Sequence, residues 1–96
     1  MFIIHSSYIT EPTQIEPYRK AHADWVVKYI NEGIFLFAGP KKSKLGGVIL
    51  AKNIDKQRLL EILSEDSYVK ADIVENQVID FSAVFAVPEL TSLTKY

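Results

Sequence analysis

Cysteine is absent from the 96 residues, so neither a disulfide framework nor a thiolate nucleophile enters the chemistry. Charge of one sign gathers nowhere: 11 Lys and Arg are interspersed with 12 Asp and Glu for a formal net charge of -1. Without a basic stripe nothing holds a phosphate backbone, and nucleic acid is not an expected partner. No apolar run approaches the roughly 18 residues of a membrane span. Phe2-Ile3-Ile4 follows Met1 without a basic n-region or a small-residue cleavage site. The expectation is a cytoplasmic protein with no membrane partner. Two histidines without cysteine make a poor structural metal site. Phosphate-cradling glycine loops, metal triads and Ser-His-Asp spacings are missing too, so no metal and no cofactor are expected. Repeats, low-complexity segments and linkers are also missing. At 48% hydrophobic content the chain reads as one domain over 1–96, with its core in 1–88 and a tail of 89–96. A core of that size is marginal, and burial against a partner would help it.

What is present has a clear order. Phe2 to Tyr8 is rich in β-branched and aromatic residues and ends at Thr10-Glu11-Pro12, which predicts a strand. From Pro17 the period changes: Tyr18, His22, Trp25, Val26, Tyr29 and Ile30 recur at helical spacing, with Arg19, Lys20, Asp24, Lys28 and Glu32 largely between them. Thr13 and Glu16 can form a capping box upstream, and Gly33 suits a left-handed C-terminal cap. "IFLFAG" then predicts a strand buried on both faces. Lys41 to Leu45 is a short polar hairpin loop, Gly46-Gly47 opens a third strand to Lys52, and Asp55 caps a second helix, Lys56 to Leu63, with an apolar stripe of Leu59, Leu60, Ile62 and Leu63. Asp66 to Ala71 predicts a further helical turn. A last strand falls within Ile73 to Val87, where Ile79, Phe81, Ala83 and Phe85 alternate, and Pro88 ends it. Glu89 to Tyr96 has no period and either crosses a partner or stays loose.

The order β-α-β-β-α-β is the ferredoxin-like, split-βαβ arrangement of the α+β class, with both helices on one face of an antiparallel sheet. An all-apolar second strand leaves the other face uncovered, and the simplest cover is a second copy about a two-fold axis.

"RKAH" in the first helix, "EGIFLFAGP" after it, "GG" opening the third strand and "DSYVKA" after the second helix resemble, in order, the landmarks of the YciI-like family. That family is similar in fold to the dimeric α+β barrel proteins, including muconolactone isomerases. The resemblance implies a homodimer packed sheet to sheet, and a histidine and an aspartate facing a cleft as a catalytic pair. The matching positions are His22 and Asp66. A few relatives act on small chlorinated lactones or muconates. Three positions depart from the pattern: Ser67 stands where the family usually has proline, Asp72 where it has glycine, and Ala23 where leucine commonly follows the histidine.

His22 lies on the stripe of Tyr18, Trp25 and Tyr29 and faces the sheet. A carboxylate just past the second helix can reach it, fix its tautomer and stabilise its imidazolium, which makes a proton shuttle. The ordinary alternative is a core histidine with satisfied hydrogen bonds, and for Asp66 a helix cap. His5, on the opposite face of the first strand, reads as structural, although either histidine has the chemistry of a haem ligand. Arg19, one turn before His22, can hold a carboxylate or be plain surface. Gly39, Pro40, Gly46 and Gly47 either let a ligand approach the backbone or merely shape the turn. Two functions follow: a cofactor-independent enzyme moving a proton on, or eliminating a group from, a small organic acid or lactone; or a non-catalytic ligand-binding or assembly dimer.

Overall fold

The computed structural model describes residues 1–95; the last residue of the predicted tail lies outside them. Four strands, β1 (Phe2–Tyr8), β2 (Phe35–Pro40), β3 (Gly46–Ala51) and β4 (Val74–Asp80), form one antiparallel sheet in the order β2-β3-β1-β4. Between β1 and β2 run a short helix α1 (Pro12–Ile15), a 3₁₀ turn (Glu16–Tyr18) and α2 (Arg19–Asn31); between β3 and β4 run α3 (Lys56–Ser64) and α4 (Ser67–Lys70). This is the α+β, ferredoxin-like architecture expected, with β3 inserted between β1 and β2. Among the described residues no helix is long and apolar enough to cross a membrane.

The helices cover one face. Phe2, Ile4, Ile49, Ala51 and Phe35 project from the sheet into a core closed by Trp25 and Tyr29 of α2 and by Leu59, Ile62 and Leu63 of α3. Leu60, assigned to the α3 stripe, points outward. Gly33 ends α2 in the left-handed region at φ +75°, with its N–H donating to Ile30 and that of Ile34 to Tyr29, a paired closure that satisfies the last carbonyls. Asp55 caps α3 by accepting from the Arg58 N–H.

Three expectations are corrected. The capping box does not form: Thr13 lies inside α1, which opens on Pro12, and the 3₁₀ turn separates that segment from α2. Tyr18 is therefore out of phase with His22 and 39% exposed instead of buried. Secondly, β2 is an edge strand and is not buried on both faces. A register irregularity sets Phe35 opposite Ala51 and Phe37 opposite Leu50, with Leu36 extra between them. The extra residue turns two side chains that would share a face to opposite faces. Phe35 is 1% exposed in the core, while Phe37 is 57% exposed on the helix-free face, which also carries Val48 on β3 and Ile79 on the opposite edge strand. Thirdly, the last strand stops at Asp80. The Phe2–Asp80 pair ends its ladder, with Met1 O accepting from the Phe81 N–H. Residues 81–87 leave the sheet, Phe85 is 95% exposed, and Pro88–Lys95 forms 3₁₀ turns.

Candidate functional site

α2 is tied to the α3–α4 corner at three points. The buried Trp25 Nε1 donates to Ile62 O at 3.0 Å, the Tyr29 hydroxyl donates to Glu65, and the Ser67 hydroxyl donates to Tyr18 O at 2.9 Å. These bonds bracket Asp66. Burial and the Glu65 carboxylate both push the Tyr29 phenol upward, which keeps it a neutral donor. Ser67, in the place of the family's proline, thus gains a cross-link, at a helix position where proline would have been accepted.

Asp66 is 4% exposed, the one charged residue in the buried interior among the described residues. Its Oδ1 accepts from His22 Nδ1 at 2.6 Å and from the Tyr68 N–H at 3.1 Å, the latter making it the N-cap of α4. Both readings of the aspartate hold at once. Since a carboxylate only accepts, the neutral imidazole of His22 carries its proton on Nδ1 and its lone pair on Nε2. His22 keeps 27% of its side chain exposed, and its Nε2 has no hydrogen-bond partner among the described residues. The imidazole lies flat on Tyr68, with ring centroids 3.9 Å apart and planes 5° apart, and Trp25 stands 5.6 Å away. Carboxylate, stacked phenol and indole leave the ring one orientation.

That orientation faces a cavity of about 370 Å³ between α2 and the ends of β1, β2 and β3, within the range of small-ligand sites. Every residue proposed for the site from the sequence lines it except Asp66, which lies behind His22, and His5 stays outside it: the lining takes Arg19 and His22 from α2, Gly39 and Pro40 from β2, Gly46 and Gly47 from β3. Arg19 is held by Glu16, its Nε donating at 2.9 Å, and its guanidinium is kept more strongly protonated by that bond and by the nearby Tyr68. Gly46 adopts φ +151°, and a Cβ there would stand 1.9 Å from Ser6 O. No side chain can replace its hydrogen, so the backbone forms the wall. The hairpin loop folds back on itself, with Lys41 N donating to Gly46 O and Lys44 N to Lys41 O.

Three lining residues with hydroxyl groups were not anticipated: Ser6, Tyr8 and Tyr68. Ser6 bonds Asn76 across to β4, and Tyr8 meets Tyr68 edge to face at 5.9 Å. A signal existed in β1, where Phe2, Ile4, Ser6 and Tyr8 share one face by alternation, so polar groups end an otherwise apolar row. His5 lies on the opposite face, as expected, bonded to Gln77 and Lys41.

The model of the YCII-related domain matches residues 1–82 of the sequence. This chain belongs to that family. No curated protein matches it. Among solved structures it is similar to 5-chloro-2-hydroxyhydroquinone dehydrochlorinase from Burkholderia phenoliruptrix in complex with 2,5-dihydroxybenzoquinone, at 14% identity and a TM-score of 0.69, covering 84% of this chain and 92% of that one. At that identity the likeness concerns the fold. The YCII-related domain thus occurs here in the ferredoxin-like form, on a scaffold shared with an enzyme.

Proposed function

We propose that this YCII-family protein is a small cofactor-independent enzyme in which His22, oriented by Asp66, transfers a proton on a small organic acid or lactone. The carrying observation is the 2.6 Å contact between His22 Nδ1 and Asp66, which leaves Nε2 toward the cavity. In the reaction, Nε2 removes a proton from a carbon made acidic by an adjacent carbonyl, and the buried carboxylate stabilises the imidazolium that forms. The released electron pair either returns with the proton at another carbon, an isomerisation, or forms a double bond as a leaving group departs with its own pair, an elimination. The dehydrochlorinase of similar fold supports the second outcome as the first to assay. Stacking on Tyr68 restricts ring rotation, so the base is held ready before substrate arrives.

The proposal includes a homodimer joined through the helix-free face. Phe37, Val48 and Ile79 are exposed there, and a sheet face carrying such side chains is best covered by a second sheet. Zero cysteines support a cytoplasmic setting.

The test is a screen of purified protein against chlorinated hydroxyhydroquinones, lactones and unsaturated dicarboxylic acids, repeated with His22→Gln. Loss of about 10²-fold or more in turnover is expected. Full activity in that variant would remove the catalytic role, and ligand binding without turnover across the panel would replace the enzyme by a ligand-binding dimer.

A further inference from the structure

The cavity wall carries a guanidinium and an imidazole, and no carboxylate lines it. Its charge is therefore one-sided. Arg19 uses Nε for Glu16, which fixes the plane of the guanidinium; its two terminal nitrogens have no acceptor among the described residues. Beside it stand the phenols of Tyr8 and Tyr68, both lining the same cavity. The two hydroxyls lie within bonding reach of each other, a contact that helps hold the proton on Tyr68, and neither donates to a carboxylate or carbonyl oxygen among the described residues. A guanidinium and a pair of phenols thus meet at one end of a pocket whose other walls, apart from Ser6 and His22, are aliphatic side chains and glycine backbone.

We infer that Arg19, Tyr8 and Tyr68 form an anchor for an anionic oxygen beside His22, so that the cavity takes a small planar organic anion in preference to its neutral analogue. The inference rests on the reading of this cavity as the substrate site. It adds the charge of the ligand and the residues that read it. Donors held in place by other contacts bind an anion without first being reorganised. Burial is the largest of the causes that push the Tyr68 phenol up to about 12, with Tyr8 adding to it, so this group donates a proton throughout the physiological range. Tyr68 would then touch both parts of the site: its ring face holds the imidazole and its hydroxyl holds the ligand. An anion anchored there brings its adjacent carbon toward Nε2 and not toward Nδ1, which Asp66 occupies.

The experiment titrates the full-length protein with benzoate and with benzamide, its neutral counterpart, following ring and amide resonances by NMR. Benzoate is expected to bind at least about tenfold more tightly. Tyr8→Phe and Tyr68→Phe keep both rings and should each weaken benzoate by about three- to tenfold, and Arg19→Gln by about tenfold, with benzamide unaffected. Equal affinities for the two probes, unchanged benzoate binding in the two phenylalanine variants, or no benzoate binding at tens of millimolar would overturn the anchor. His22→Gln separates the two proposals: it should keep the preference for benzoate while losing turnover. Full turnover in that variant would sink the catalytic reading and leave the anchor intact. A lost charge preference in the anchor variants is not required for His22 to act.

Discussion

Removing the Asp66 side chain tests the centre of the structure. One oxygen serves two donors, the imidazole Nδ1 at 2.6 Å and the Tyr68 N–H at 3.1 Å. An N-cap replaced by alanine costs about 1 kcal/mol. Stranding the His22 donor, which bonds a charged group, costs about 1.5 to 3 kcal/mol more. Because both bonds share one atom, the two costs overlap, and Asp66→Ala is expected to destabilise by about 2 to 4 kcal/mol. With a urea slope near 1 to 1.5 kcal/mol per molar, typical of a chain this size, the midpoint falls by about 2 M. Asp66→Asn behaves differently. Asparagine caps as well as aspartate, and its amide oxygen still accepts from Nδ1, so only the charged part of the bond is lost, about 1 kcal/mol. Urea titrations at one fixed protein concentration measure both. An Asp66→Ala midpoint within about 0.5 kcal/mol of the parent, or equal losses for the alanine and asparagine variants, would refute the double role. With a substrate in hand, Asp66→Asn should also lose turnover far beyond its small stability cost.

The helix-free face predicts a split between two phenylalanines that stand two residues apart: Phe37→Asp should yield a folded monomer by sedimentation, whereas Phe35→Asp should unfold the chain by burying a carboxylate; a parent that is monomeric at micromolar concentration would end the dimer proposal. Asp72 sits at φ 57°, where glycine pays no steric penalty, so Asp72→Gly should stabilise by about 0.5 to 1 kcal/mol and raise the melting temperature by about 4 °C; an unchanged or lower melting temperature would show that the Asp side chain compensates. The Tyr68 phenol ionises at about 12 in the fold and near 10 in the unfolded chain. Below pH 10 both states hold the proton and stability is unaffected; from pH 10 to 12 the unfolded chain releases it first, so stability falls as pH rises. Because the hydroxyl faces the cavity, the loss is at most about 1 to 2 kcal/mol, and Tyr68→Phe should flatten that limb in urea titrations from pH 9 to 12, an unaltered slope counting against it.

Elements with strong periodicity were readable from the sequence. β1 is bounded as the β-branched run predicts, Asp55 caps α3, and Gly33 closes α2, because each is decided by local chemistry. The pairing of His22 with Asp66, across 44 residues, came through the family resemblance, since no local period links a helix to the turn after another helix. The structure then supplies its geometry. What escaped depends on neighbours. The alternation from Ile79 to Phe85 says "strand", but a strand needs a ladder, and Asp80 is its last rung. Phe35 and Phe37 look equivalent in sequence, and only the irregular register against β3 sends them to opposite faces. Tyr8 and Tyr68 are unremarkable apart and meet only where α4 packs at the end of β1.

The shared oxygen of Asp66 also bears on how such a protein ages. A lineage that lost its substrate would need at position 22 only a donor to Asp66, which a glutamine or asparagine can supply in place of the imidazole of His22. It would still be penalised for losing the aspartate, because α4 would lose its cap. Descendants without the activity should therefore drift first at the histidine and keep the carboxylate for much longer. Between the two residues, the histidine is the one whose presence in a homologue speaks for chemistry, and an aspartate found alone speaks only for architecture.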